Sequence, residues 1–179
     1  MRHVVRTSGL VCAMILGVML RPVAAQSVSI QAEMLKDWTG LKETMIKITN
    51  EMPADKYDFK PTPPQQSFGE RTMHVAQVNA RFLQAIAGKA TPPTFDAKVT
   101  TKEASMKAMA DSFDYGTALL KELTDQTILQ AAPMAPPFLG PSTRARIYTF
   151  LIGHTWDIYG QFAVYLRLSG HVPPASQRP

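Results

Sequence analysis

Two histidines on long apolar stripes are the residues of this sequence best placed to do chemistry. His74 lies in SFGERTMHVAQVNARFL, residues 67–83, and His154 in HTWDIYGQ, residues 154–161. A neutral imidazole can ligate a divalent metal, move a proton, or sit in a core with its nitrogens hydrogen-bonded. Two imidazoles converging from different helices would begin a metal site. A donor one turn after His154 could chelate beside it, since i and i+4 side chains share a face. That position is Ile158, which has no lone pair. Asp157 is the substitute that could swing inward, and His171 falls in the tail past the last helix. On these residues alone, the core reading and the metal reading of each histidine both stand.

Other chemistries are excluded more firmly. The single cysteine, Cys12, lies in the N-terminal segment, so the remaining chain has no thiol for a disulfide, a cysteine-ligated metal or a nucleophile. No serine is placed to form a Ser-His-Asp set with either core histidine. The ten methionines are scattered along the helices as packing residues.

The elements that must position the histidines are helices. Ile30, Met34, Trp38, Leu41, Met45 and Ile48 mark one face of a first helix over about 28–50. A loop with Pro53, Pro61, Pro63 and Pro64 follows, in which Tyr57 and Phe59 should anchor the chain on the bundle. Ser67 and Glu70 form a capping box that opens a second helix running to about 87, with His74, Val78, Phe82 and Ile86 on one stripe and Gly88 as its stop. Thr100 and Glu103 look like the start of a third helix, with Met106, Met109, Phe113, Leu120 and Leu123 facing inward. A fourth, over about 143–169, carries a seam of Ile147, Leu151, His154, Ile158, Gln161, Tyr165 and Leu168 and stops at Gly170. Mid-helix Gly160 predicts close approach of a neighbour, and Gln161 is placed to bond His154 or, with Tyr165, to line a pocket. Tyr159 and Arg167 are further candidates for ligand contact. The fold class that follows is all-α, an up-and-down four-helix bundle.

Residues 1–25 read as a cleavable secretory signal: Arg2 and Arg6, an apolar run from Leu10 to Leu20, then Val23-Ala24-Ala25. Residues 26–179 are then the domain, exported to the periplasm or the extracellular space after cleavage near Ala25, and the chain meets a membrane only during export. The cut removes three arginines and no acids, so the formal charge falls from +5 to +2. No basic stripe remains for a nucleic acid.

With KYDFKP at 56–61, SFGERTMHVAQVNARFL, and HTWDIYGQFAVYLRLSGHVPPAS at 154–176, the sequence resembles the DinB-like (YfiT-like) superfamily of four-helix metalloproteins over about 34–176. The resemblance implies a divalent metal, zinc or nickel, on three histidines, and metal-dependent hydrolysis or thiol transfer. Those three positions carry over as His74, His154 and Ile158. The expectation is therefore a degenerate site that binds metal weakly or not at all, in a domain with a binding or non-catalytic role toward a small molecule or protein. The alternative is a hydrolase or transferase using His74 and His154 with a substituted third ligand. The implied fold also permits a homodimer.

Overall fold

Each long helix begins where a side chain can satisfy its unpaired N–H groups. In the computed structural model, which describes residues 28–177, α1 spans Ile30–Glu51, α2 Phe68–Leu83, α3 Lys102–Glu122, the one-turn α4 Asp125–Ile128, and α5 Arg144–Leu168. The expected signal segment and the expected cleavage near Ala25 lie outside these residues. Ser67 accepts from the Glu70 amide while the Glu70 carboxylate accepts from the Ser67 amide at 2.6 Å, so the expected capping box is formed. Ser29, Thr101 and Thr143 cap the other three long helices in the same way from one side. The cap of α3 is thus Thr101 and not Thr100, because its hydroxyl reaches the Ala104 amide. At the other end of α1, Lys102 donates to the free carbonyls of Asn50 and Met52, at 2.7 and 3.0 Å.

The four long helices close into a bundle, as the apolar stripes require. Their ring order is α1–α3–α2–α5: α3 and α5 each pack against both α1 and α2, while α1 and α2 sit across a diagonal. The proline-bearing loops before α2 and α5 make those diagonal crossings, so chain neighbours are not always spatial neighbours. Inside, Trp38, Phe113 and Tyr148 form a fully buried aromatic cluster with ring centroids 4.7 and 5.4 Å from Trp38. Its polar atoms are used: Trp38 Nε1 donates to the Phe113 carbonyl and the Tyr148 hydroxyl to the Gly116 carbonyl. Gly116 is the glycine that permits close approach, since a Cβ there would stand 2.6 Å from the Trp38 ring. Gly160, expected in that role, has nothing within 4 Å of such a Cβ and faces solvent.

The loop after α1 is pinned as its aromatics suggested. Tyr57 is buried and donates to the Thr49 carbonyl at 2.9 Å, and Phe59 meets the edge of Tyr165. The second helix ends earlier than expected. Past Leu83 it tightens into a 3-10 turn, and the left-handed residue is Ala87 (φ 54°), one before Gly88.

Candidate functional site

Helices α2 and α5 run antiparallel, and the contacts along them fix which residues face each other. Gln66 and Phe68 meet Tyr165 and Phe162, His74 meets His154, Phe82 meets Phe150, and Ile86 meets Arg144. The deep face of α2 is built from Phe68, Thr72, Val75, Ala76, Asn79 and Leu83. His74, Val78 and Phe82 are only half-buried. They form the margin of the helix that meets α5, because a four-residue step drifts around a 3.6-residue helix. The histidine stripe therefore lies at a seam between helices, reachable from solvent, and not on the bundle axis.

At that seam the two Nε2 atoms are 3.2 Å apart. One must carry a proton and the other a lone pair, which fixes opposite tautomers for the two rings. Burial, then the neighbouring Arg71 charge, pushes the pKa of His74 below the ordinary value of 6.5. His154 is lowered too, by burial first and then by His74, with Asp157 pulling the other way and Arg71 adding the weakest push downward. Both rings are thus neutral at pH 7. Phe150 stacks along His154 with centroids 6.3 Å apart.

The other expected participants are placed differently. Ile158 is 2% exposed and packs in the hydrophobic core. Asp157 is exposed, and its Oδ2 accepts from Gln161 Nε2 at 2.8 Å, so Gln161 bonds Asp157 and not His154. Tyr165 is buried and donates to the Gln66 carbonyl at 2.8 Å, tying α5 to the start of α2. Leu168, expected at the end of the seam, is 60% exposed. His171 sits beyond α5 with Nδ1 3.2 Å from the Ser169 hydroxyl. The residue that sequence reasoning missed is Arg71, one turn before His74 on α2 and close enough to act electrostatically on both rings. Its signal was present: an arginine three residues before a histidine shares that histidine's side of a helix. Two polar atoms here are buried without a hydrogen-bonding partner, Arg71 Nε and His154 Nδ1.

Two tetrahedral zinc–nitrogen bonds would set their nitrogens roughly 3.3 Å apart, so the 3.2 Å pair has a chelating span. The rest of the set fails the test. Among the described residues no three His, Cys, Asp or Glu side chains group to hold a metal ion, Ile158, one turn after His154, offers no donor, and His154 Nδ1 lacks the acceptor that ordinarily orients a ligating imidazole. The residues present do not fit a divalent ion held by protein ligands.

The family model of the DinB superfamily matches residues 38–162. The chain belongs to the DinB superfamily. Solved structures of the superfamily share its fold. A DinB-like protein from Bacillus cereus ATCC 10987 superposes with a TM-score of 0.69 at 18% identity, covering 82% of this chain and 96% of that one. The DinB-like protein YjoA from Bacillus subtilis gives 0.63 at 18% identity, covering 82% and 99%. YfiT from Bacillus subtilis, described as a probable metal-dependent hydrolase with an unusual four-helix bundle topology, gives 0.62 at 15% identity, covering 82% and 92%. No curated protein matches the chain.

Proposed function

We propose that this DinB-superfamily chain is an exported binding module whose metal site has lost its third ligand. One observation carries the reading: His74 and His154 contact each other directly at 3.2 Å, with a buried isoleucine where a third donor would stand. Two neutral imidazoles without a further protein ligand hold a divalent ion weakly, and the pair instead satisfies itself through a shared hydrogen bond. Export rests on the pattern of residues 1–25, and with the third position sealed the role is binding of a small molecule or protein. The alternative, a divalent-metal hydrolase or transferase of the kind that YfiT is described as, draws on the same distance, since 3.2 Å also suits a chelated ion.

Metal content separates the two. The chain from residue 26, purified without chelator or histidine tag, is compared with Ile158→His by plasma mass spectrometry after zinc and nickel titration. The parent is expected to retain well under one equivalent and Ile158→His roughly one, because the third imidazole completes an open-sited triad. Near-stoichiometric metal in the parent would sink the binding-module reading and return Asp157 to the ligand set.

A further inference from the structure

We propose that the cleft between α2 and the loop preceding α5 binds a small carboxylate with an aromatic body, the carboxylate on Arg81 and the ring against Phe82, Phe138 and Met134. The cleft lies two turns along α2 from His74, so the proposal is independent of whether the histidine pair takes a metal. Its volume is about 400 Å³, within the range of small-molecule sites. Arg81, Phe82 and Ala85 form one wall, and residues 134–138 form the other. The second wall is held in place before any ligand arrives. Its loop carries Pro133, Pro136, Pro137 and Pro141, and Arg146 donates to the Leu139 carbonyl at 2.7 Å and the Ser142 hydroxyl at 3.1 Å. The Ala132 amide donates to the Ser142 carbonyl at 2.8 Å, and Phe138 meets Phe82 and Phe150 edge-on at 5.7 and 5.5 Å. A fixed wall lowers the entropy lost on binding. Phe138 and Met134 are nonetheless 67% and 62% exposed, an apolar surface beside the cleft that the fold leaves uncovered.

Charge selects the occupant. Arg81 is the one charged residue lining this cleft, and no carboxylate lines it. Among the described residues Arg81 forms no ion pair, and neither do Arg144 and Arg146 in the first turn of α5, where no acid stands. Arg144 and Arg146 donate to backbone carbonyls, whereas the Arg81 guanidinium stands 5.9 Å from the centroid of the Phe82 ring. The wider cleft of about 730 Å³ between residues 54–58 and 98–103 differs, since Asp55, Asp58 and Glu103 there would repel an anion. A planar guanidinium beside aromatic rings suits a carboxylate carried on a flat ring, because its fork takes both oxygens while the rings pack. Pro136 and Pro137 have no N–H to offer, so a doubly charged phosphate finds no second set of donors on the facing wall.

The test titrates the chelator-treated chain from residue 26 with 2-naphthoate by calorimetry. Beside it stand 2-naphthamide and 2-naphthylmethylammonium, which keep the ring and change the charge. The acid is expected to bind about fivefold or more tightly than the amide, and the cation most weakly, with the acid's advantage shrinking as salt is raised. Arg81→Gln should abolish that advantage and Arg81→Lys keep part of it, while Phe138→Ala should weaken acid and amide alike by several-fold. Both positions are exposed, so these variants are expected to fold, which circular dichroism checks. Equal binding of the amide, or naphthoate affinity unchanged in Arg81→Gln or in Phe138→Ala, would overturn the site. So would the absence of saturable naphthoate binding by the folded chain. Adsorption to phosphatidylglycerol vesicles that Phe138→Ala abolishes, without naphthoate binding, would assign the surface to a membrane and overturn it too. Failure here leaves the binding-module reading standing, and metal in the parent chain, which sinks that reading, leaves this site untouched.

Discussion

The aromatic cluster of Trp38, Phe113 and Tyr148 and the histidine seam between α2 and α5 use polar atoms in opposite ways. In the cluster, the indole N–H and the phenol O–H each find a backbone carbonyl, at 2.9 and 2.7 Å, and the rings are fully buried. Burial without an unmet donor is what stabilises a fold. At the seam, the rings are half-buried, two imidazoles share one proton, and Arg71 Nε and His154 Nδ1 go unmatched. Such a surface gives up stability relative to an apolar one, and that loss is what a ligand can recover. The difference teaches where to look for function in this bundle: at the margin of α2, and not on its deep face.

Breaking the first region should produce the largest effect. Trp38→Ala is expected to lower unfolding free energy by about 3–5 kcal/mol, because it empties a site lined by Phe113, Tyr148 and Gly116. Urea unfolding of the two chains reads it directly, and a loss below about 1 kcal/mol would mean that the cluster is not the centre of the core.

The second region should show itself through pH. Both seam histidines have folded pKa values below 6.5. Between those lowered values and 6.5, the unfolded chain binds more protons than the folded one, so stability rises with pH in that window. It is fully present above about 6.5 and is lost as pH falls toward the lowered values. Replacing the pair, in His74→Gln with His154→Leu, should flatten the unfolding midpoint between pH 7 and 5. A midpoint that falls equally steeply in the double variant would place the acid sensitivity elsewhere.

The smallest effect belongs to neither region and calibrates both. Gly160 lies mid-helix with open space around it, so Gly160→Ala is expected to add about 0.5–1 kcal/mol by removing backbone freedom from the unfolded chain. Destabilisation there would reveal a contact on the outer face of α5.

Much of the fold was legible because its signals are local. Ser67 and Glu70 announce their capping box within four residues, and the spacing of Trp38, Leu41, Met45 and Ile48 names the buried face of α1. The ring order was not legible, since apolar stripes say that helices pack and not against which partner. The site was half legible. His74 and His154 do meet, but a four-residue repeat cannot tell the deep face of a helix from its margin, and Val78 and Phe82 lie on the margin. Gln161 was read toward His154, yet a carboxylate one turn back on its own helix is the nearer partner. Glycine at position 160 carries no mark distinguishing it from Gly116, because the neighbour that matters, Trp38, lies far away in sequence.

The ring order also dictates a sequence of events. Helix α1 touches α3 and α5 but scarcely α2, so as the chain is synthesised from its N-terminus the first helix has no partner until the third has emerged. The pairing of α2 with α3 is the most extensive in the bundle, and α1 docks on α3 only once that helix exists. Only with α5 do both flanks of the bundle close, and the seam where His74 meets His154 comes into being in that last step. A fragment stopping before α5 would leave that flank open, so any ligand of the seam can recognise only a chain that has finished folding.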